Sequence, residues 1–421
     1  MKNSVRSVIS LLMSVVLLVC FSLSSVCAAD EKEDKKVIIA CSDFQPNSEY
    51  IGSLYVGYVL DQIKSAGITE IDGFLACGDY TLSINNANAS TSGAATLKSA
   101  VTGKFDIAEE NMVLIHGNHD PIGAVGLSES GNNDPADGGY GVFAINEDDY
   151  MWQQGKTTTN GNASVSDDAQ TVQKTAANLK AYLDEKISQK FMAPIFVISH
   201  LPLHFSTRTA EGDCQYAKYL FDVMNDASAA GLNIIYLFGH DHGRNHDDYL
   251  GGSAVCLKPG DNIYIANAGS TTEYTKQTLG FTYMNAGYTG YYSSSNNPAP
   301  DTTLTMTVYE IYEDRVNISR YSSKGLHNLK SSGVGSVGEI PANTDVYASP
   351  ANIVLQFFRE KGNLSNDRRF DAMDLLMLQQ HILSRGTLSD DLVYYADMND
   401  DNVVDITDLT ILQMLILGTV K

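Results

Sequence analysis

Side chains that can bind divalent metals follow five short apolar runs between residues 37 and 245. In chain order, these segments are Cys41-Ser42-Asp43-Phe44-Gln45, Gly78-Asp79-Tyr80, His116-Gly117-Asn118-His119-Asp120, Ser199-His200-Leu201-Pro202-Leu203-His204 and Gly239-His240-Asp241-His242. Carboxylate, amide oxygen and imidazole are common ligands of first-row divalent cations. Each segment alone is also compatible with a turn or a helix cap, but five in succession predict a shared metal site.

The five apolar runs have the length of buried β-strands. They are Val37–Cys41, Phe74–Cys77, Met112–Ile115, Ile195–Ile198 and Ile234–Phe238. Helical patterns at Tyr55–Ala66 and Ala176–Lys190 lie between several of them. This alternation predicts an α/β domain with a largely parallel sheet, whose strands place their carboxyl ends along one edge.

The later part of this domain is predicted to be mainly β. Apolar segments occur at Asn262–Ala266, Leu304–Ile311 and Arg315–Arg320, and the last two suggest a hairpin. Residues 83–104 and 121–170 are rich in Gly, Asn, Ser and Asp, and are predicted to be long surface loops.

The order of the five motifs resembles the calcineurin-like metallophosphoesterase family over most of residues 37–245. That family's pattern is Asp-x-His, Gly-Asp, Gly-Asn-His-Asp/Glu, His and Gly-His-x-His. The resemblance implies a two-sheet sandwich flanked by helices and two divalent transition metals (manganese, iron or zinc) bridged by Asp79. One ion would be held by Asp43, Gln45, Asp79 and His242, and the other by Asp79, Asn118, His200 and His240. His119 would be the acid/base residue, with Asp120 orienting it.

The activity implied by this resemblance is hydrolysis of a phosphomonoester or phosphodiester by a hydroxide that bridges the two metals. Gln45 departs from the family pattern, which has His at that position. Its neutral amide is a weaker donor to a transition metal than imidazole. A catalytically weak or inactive domain that serves as a binding module is therefore the alternative.

The substrate is expected to be a phosphorylated small molecule or polymer. The formal net charge of -22 excludes a broad basic surface for nucleic acid, so bound metals would supply the local positive charge. Arg208 and His204 lie close in sequence to His200 and are candidates for contacting the phosphate. For each of them, a solvated loop side chain is an equally consistent interpretation.

The C-terminal region contains a repeat with the spacing of calcium-binding loops. Residues 370–383 and 404–417 are identical at half of their positions. Oxygen ligands fall at positions 1, 3, 5, 9 and 12 of a twelve-residue loop. In the second loop they are Asp397, Asn399, Asp401, Asp405 and Asp408, with the carbonyl of Val403 at position 7; in the first they are Asn363, Ser365, Asp367, Asp371 and Asp374. Asn402 replaces the usual Gly at the sharp turn, and capped helix starts without calcium are the alternative.

This duplicated loop and helix resembles a type I dockerin over about residues 351–421. The resemblance implies a small all-α module that folds with Ca²⁺ and binds a cohesin domain of a scaffold protein, as in cellulosomes. Residues at the family's recognition positions are Ala372, Met373, Ile406 and Thr407.

The first 29 residues have the pattern of a secretory signal peptide. Lys2 and Arg6 precede an apolar stretch over residues 8–23, and small residues end at Ala29. We expect a secreted, extracellular protein associated with the cell surface or a cellulosome, and an uncleaved membrane anchor is the alternative. The expected order is a signal peptide (1–29), a metallophosphoesterase domain (30–325), a linker (326–350) and a dockerin (351–421), with no membrane span after cleavage.

Overall fold

The computed structural model describes most of the chain after residue 34. The described residues are 35–45, 49–83, 86–121, 123–146, 169–204, 215–240, 256–270, 273–290, 304–313, 315–322, 325–327, 353–356, 361–365, 370–388, 390–399 and 401–418. The predicted signal peptide lies outside them. Within them, no helix combines the length and apolar character needed to cross a membrane.

Fifteen strands and seven α-helices are present in the described residues. The strands are β1 (Lys36–Cys41), β2 (Gly73–Ala76), β3 (Met112–Leu114), β4 (Gly131–Asn132), β5 (Gly141–Ile145), β6 (Ile195–Ser199), β7 (Ile234–Phe238), β8 (Cys256–Leu257), β9 (Asn262–Ala266), β10 (Tyr274–Thr278), β11 (Thr282–Asn285), β12 (Thr305–Ile311), β13 (Arg315–Ser322), β14 (Gly325–His327) and β15 (Ile353–Gln356). The helices are α1 (Glu49–Ser65), α2 (Ala87–Thr102), α3 (Ala169–Ser188), α4 (Ala217–Ala229), α5 (Ala372–Ile382), α6 (Asp390–Ala396) and α7 (Ile406–Ile416).

The strands form two large mixed sheets instead of the single, largely parallel sheet expected from strand and helix alternation. The first sheet has the order β14-β13-β12-β1-β2-β3, with β15 also paired to β13. The second has the order β4-β5-β6-β7-β11-β8, and β9 and β10 form a separate ribbon. Parallel pairing is confined to β1-β2-β3 and to β5-β6-β7-β11. Antiparallel β12 and β13 complete the first sheet, and β12 and β13 are connected as the predicted hairpin.

Three apolar clusters order these elements into four layers. The cluster between the sheets includes Ile38 and Leu75 from the first sheet and Phe196 and Leu237 from the second. A second cluster packs α1 and α2 against the outer face of the first sheet, and a third packs α3 and α4 against the second sheet. This arrangement confirms the sandwich flanked by helices that the family resemblance implied.

Helix α2 corrects the prediction of a surface loop at residues 83–104. Its buried positions Ser90, Ala94, Leu97 and Val101 recur every three or four residues, and the Asn86 side chain accepts a hydrogen bond from the backbone N–H of Ala89. Only Leu97 and Val101 of this face are large apolar residues, so the hydropathy pattern of the segment is weak. A Cβ atom at Gly93 would collide with the carbonyl oxygen of Tyr80, so glycine is what allows the helix to approach the turn after β2.

The segment 121–170, also predicted as a loop, contains the inner strand β5. All five of its residues are buried, and it lies parallel to β6. Strands β14 and β15 both pair with β13. The first sheet therefore includes residues 325–327 and 353–356, which lie at or beyond the expected end of the catalytic domain; residues 328–352 lie outside the described part of the chain.

Helices α5, α6 and α7 surround a small core near the C-terminus. Its buried apolar residues are Leu364, Leu378, Leu388, Ala396 and Leu412. This confirms the predicted all-α character of the C-terminal repeat.

Candidate metal centre

Four predicted metal ligands converge where the strands of both sheets end. They come from the turns after β2, β3, β6 and β7: Asp79, Asn118, His200 and His240. Asn118 Oδ1 lies 3.0 Å from His200 Nε2 and 3.1 Å from His240 Nδ1, and these two nitrogens are 3.2 Å apart. The Asp79 Oδ2 atom is 3.3 Å from His200 Nε2. Ligands held at about 2.1 Å from one cation are separated by about 3.0–3.4 Å, so the Asn118, His200 and His240 atoms are spaced like ligands of a single divalent ion, and Asp79 lies beside His200.

The side chains expected at the other ion lie beside this group. Asp43, Asp79 and His200 each offer one ligand atom, and these atoms lie within 4.8 Å of one another. Gln45 Nε2 donates to Asp79 Oδ2 over 2.8 Å, while Gln45 Oε1 is buried without a hydrogen-bond partner. A buried acceptor without a donor is unusual, and a cation next to it would satisfy that oxygen. His242 lies outside the described residues.

Backbone strain is concentrated at three of these residues. Asp43, Asp79 and His240 have φ values of 54°, 64° and 68°, in the left-handed region that non-glycine residues rarely adopt. Such conformations cost about 1–3 kcal/mol each and persist mainly where the surrounding structure enforces them. Gly117 and Gly239 allow this crowding, because a Cβ atom at either position would collide with the turn that carries Asp79 or Asp43.

The electrostatics of the site also favour a bound cation. Burial raises the pKa of Asp43. Burial acts in the same direction on Asp79, but His200 and His119 outweigh it and hold the pKa of Asp79 below its usual range. Burial opposes protonation of His200, yet Asp79 raises the pKa of this imidazole to about 9. Divalent ions would replace this protonated histidine as the positive charge beside the two carboxylates.

His200 is oriented by its other ring nitrogen. Nδ1 lies 2.7 Å from the carbonyl oxygen of Cys77, so Nδ1 is the donor and Nε2 faces Asp79 and Asn118. A hydrogen bond from the distal nitrogen to a carbonyl is the usual way in which a protein fixes a metal-binding histidine.

Cys77, Cys41 and Cys256 are buried free thiols, and Cys214 lies outside the described residues.

His119 lies at the solvent-accessible margin of the cluster. Its side chain is 17% exposed, and Nε2 is 3.9 Å from Asp79 Oδ2. Its backbone N–H donates to Asp79 Oδ1 over 2.9 Å, and Nδ1 has no hydrogen-bond partner. The imidazole of His119 therefore lies close to the predicted ions, but it is not one of the four side chains that converge.

Asp120 holds the backbone of the site and does not orient His119 as the family resemblance implied. Its carboxylate accepts hydrogen bonds from the backbone N–H groups of Asp79, Tyr80 and Gly117 at 2.7, 3.1 and 2.9 Å and from Ser90 Oγ at 2.5 Å. These bonds join the turns after β2 and β3 to α2. Sequence reasoning missed Ser90 because it assigned this segment to a loop.

The two candidate substrate contacts have different outcomes. His204 is buried, and its Nδ1 lies 2.7 Å from the hydroxyl of Tyr283. This position supports a structural role in place of the expected contact with phosphate, because a phosphate would have to enter the core to reach it. Arg208 lies outside the described residues.

The second calcium-type loop gathers its predicted ligands around one backbone turn. Asp397 Oδ1 and Oδ2 accept hydrogen bonds from the N–H groups of Asp401 and Asn402. Asn402 has a φ of 64°, as expected for the residue that replaces glycine at the sharp turn. Asp405 caps α7, and the buried Asp408 accepts from the backbone N–H groups of Met398 and Asp405. Asn399 lies beside Asp401, and Val403 completes the turn.

The first calcium-type loop shows the same capping arrangement and two unsatisfied oxygens. Asp371 caps α5, and the buried Asp374 accepts from the N–H groups of Ser365 and Asp371. Asn363 Oδ1 and Ser365 Oγ are buried without hydrogen-bond partners, which fits a cation between them. Asp367 lies outside the described residues.

The four predicted cohesin contacts are accessible. Ala372, Met373, Ile406 and Thr407 are all exposed at the starts of α5 and α7. Met373 and Ile406 are 53% and 63% exposed, which is unusual for large apolar side chains and is compatible with a binding surface.

Comparisons with known proteins agree with both parts of this description. A family model for calcineurin-like phosphoesterases matches residues 36–244, and a model for the dockerin type I domain matches residues 361–417. A crystal structure of a dimetal phosphatase from Danio rerio is similar over 70% of this chain and 99% of that chain, with 12% sequence identity and a TM-score of 0.44. No curated protein sequence matches the chain. The chain therefore contains a calcineurin-like phosphoesterase domain, followed by a type I dockerin domain.

Proposed function

We propose that the protein is a phosphoric ester hydrolase that uses two divalent transition metals and is held on a scaffold by its dockerin. The observation that carries the proposal is that His200 Nε2 lies 3.0–3.3 Å from an atom of each of Asn118, His240 and Asp79. Asp43 and Gln45 lie next to this group and would complete the site for the second ion. A bound metal pair would supply Lewis-acid activation of a phosphate and of a water nucleophile.

The residues of the chain would bind the ions and handle a proton. Asp79 would be a ligand shared by both ions, because its carboxylate lies close to both Gln45 and His200. His119 lies close enough to protonate a leaving oxygen, and its partly exposed ring can exchange the proton with solvent. Asp120 would hold the turns after β2 and β3 in their relative positions through its hydrogen bonds to their backbone N–H groups.

Gln45 is the reason to consider a second function. Its amide nitrogen donates to Asp79, and a neutral amide binds a transition metal less strongly than histidine. If the ion beside Asp43 bound too weakly, the domain would be a binding module on the scaffold and not an enzyme.

Hydrolysis of p-nitrophenyl phosphate and bis-p-nitrophenyl phosphate with added Mn²⁺ separates the two functions. We expect turnover by the wild type that depends on Mn²⁺ and disappears after chelation. The variant Gln45→His is the matched comparison, and it should reach half-maximal activity at a lower Mn²⁺ concentration. No Mn²⁺-dependent turnover by either protein would favour the binding module.

Replacing His119 by Ala should lower turnover by about 10²–10⁴-fold, the usual contribution of a general acid or base. Bound metal, measured by elemental analysis, should stay close to the wild-type value because His119 is not among the four converging atoms. Loss of metal together with activity would show that His119 is a ligand.

The dockerin implies a cohesin domain as partner, and the exposure of Ala372, Met373, Ile406 and Thr407 supports such a contact. We propose that the protein is exported by its N-terminal segment and joins a cellulosome through this contact. Amino-terminal sequencing of the extracellular protein should begin close to residue 30. Recovery only from the cytoplasm with an intact N-terminus would contradict export.

A further inference from the structure

Two stacked tyrosines hold the segment that follows His200. Tyr236 in β7 and Tyr283 in β11 are neighbours in the parallel register, and their ring centroids lie 5.6 Å apart at an interplanar angle of 16°. Both rings are completely buried. Their hydroxyl groups reach residues 201–204. These four residues follow β6 and have no regular secondary structure.

The two hydroxyls satisfy the polar backbone of this buried segment. Tyr236 donates to the carbonyl oxygen of Leu201 over 2.8 Å. The Tyr283 oxygen lies 2.9 Å from the N–H of Leu203 and 3.3 Å from the N–H of His204. Buried backbone groups need such partners, and no strand neighbour supplies them here.

The third contact of Tyr283 fixes the tautomer of His204. A hydroxyl has one proton and two lone pairs, and the two backbone N–H groups occupy both lone pairs. The remaining O–H therefore donates to His204 Nδ1, which lies 2.7 Å away. With Nδ1 as the acceptor, a neutral His204 ring carries its proton on Nε2.

The same tyrosine also packs against the turn that carries His240. The Tyr283 ring stacks on Phe238 at 4.6 Å, and the His204 ring meets Phe238 edge-on at 5.8 Å. Phe238 is followed by Gly239, whose N–H donates to the carbonyl oxygen of His200 over 2.9 Å. One buried cluster therefore supports both imidazole-bearing turns.

We propose that Tyr283, assisted by Tyr236 and His204, is a positioning residue that sets the affinity of the ion held by His200 and His240. This inference rests on the proposed two-metal function. None of the three side chains is a proposed ligand. They hold in place a loop that would otherwise carry unpaired polar groups, and so keep His200 Nε2 within 3.2 Å of His240 Nδ1.

The variant Tyr283→Phe tests this role, because it keeps the ring and removes only the hydroxyl. The N–H groups of Leu203 and His204 would then lose the Tyr283 oxygen as acceptor, so the loop should shift. Binding of Mn²⁺ to the purified full chain would be titrated. We expect the Mn²⁺ concentration at half-saturation to rise on the order of tenfold, as is typical when a residue that supports a metal ligand is lost. Turnover of p-nitrophenyl phosphate should recover at saturating Mn²⁺.

Tyr309→Phe is the matched control. Tyr309 is also fully buried, but its hydroxyl faces the sulfur of Met284 between the two sheets, away from residues 201–204. It should keep the wild-type half-saturating Mn²⁺ concentration even if the protein melts at a lower temperature. An equal shift in Tyr309→Phe would overturn the proposal, since the effect would then reflect general destabilisation.

Tyr236→Phe provides a second, milder test, because it removes the hydroxyl that donates to the carbonyl of Leu201. A smaller rise in the half-saturating Mn²⁺ concentration supports the proposal. If Tyr283→Phe does not fold, Tyr236→Phe becomes the deciding test. Wild-type Mn²⁺ affinity in every folded phenylalanine variant overturns the positioning role alone. Failure of the wild type to bind Mn²⁺ overturns the proposed function and this inference with it, so the two failures are distinguishable.

Discussion

Asp79→Asn should abolish metal-dependent hydrolysis, with turnover falling on the order of 10³-fold or more. Asp79 is the predicted shared ligand, and its Oδ2 lies 2.8 Å from Gln45 Nε2 and 3.3 Å from His200 Nε2, so it adjoins both groups of predicted ligands. Removing its charge takes away the shared anionic ligand and several kcal/mol of transition-state stabilisation that a metal pair provides. Bound metal should fall from two ions to one or none, as measured by elemental analysis.

The matched control for this variant is Asp61→Asn. Asp61 is an exposed carboxylate on α1 that pairs with Lys104, far in sequence from every predicted ligand. It should retain two ions and wild-type turnover, which would separate a general effect of lost charge from loss of the site. Two bound ions and turnover within tenfold of wild type in Asp79→Asn would contradict the bridging role.

The positions of the predicted ligands followed from local sequence because each one directly follows a buried strand. The runs before Asp43, Asp79 and His240 are β1, β2 and β7, and the glycines beside two of these residues indicated the tight turns. A strand end fixes the edge of its own sheet on which a side chain lies. The meeting of Asp79 and Asn118 with His200 and His240 also depends on how the two sheets pack, which strand positions alone do not give.

The elements that support these ligands depended on contacts between residues far apart in the chain. Ser90 bonds to Asp120 across 30 residues, and Tyr283 meets His204 across 79. Nothing near Tyr283 in the sequence marks it as a partner of the metal site. Helix α2 was missed because Ser90, Gly93 and Ala94 form the first half of its buried face, and only Leu97 and Val101 are large apolar residues.

Adjacency in sequence was misleading at Asp120. It follows His119 directly, yet all its carboxylate bonds go to Ser90 and to the backbone of residues 79, 80 and 117. The carboxylate points away from the imidazole because four donors on other segments surround it. A short motif identifies a residue type and its position, but the direction of a side chain depends on what packs around it.

Removal of Ca²⁺ should unfold the dockerin domain and abolish its binding to a cohesin. Among the described residues, five apolar side chains are buried in the core beneath α5, α6 and α7, with partly buried ones packed against them. Domains of this size rarely gain more than about 3–5 kcal/mol from a hydrophobic core. Asp374 and Asp408 are also completely buried. Without a cation nearby, two buried carboxylates oppose folding, so binding of the ion and folding are expected to be coupled.

Far-UV circular dichroism and cohesin binding by calorimetry would measure this effect on the full chain. Addition of EGTA should lower the helical signal and eliminate cohesin binding, and excess Ca²⁺ should restore both. Because EGTA also removes transition metals, Asp408→Asn is needed to assign the effect to the dockerin: it should raise the Ca²⁺ concentration required for folding without changing Mn²⁺-dependent turnover. The control Asp222→Asn removes an exposed carboxylate that pairs with Lys218 and should behave as wild type. A helical signal and cohesin binding that persist in EGTA would mean that the capping boxes of α5 and α7 stabilise the module without calcium.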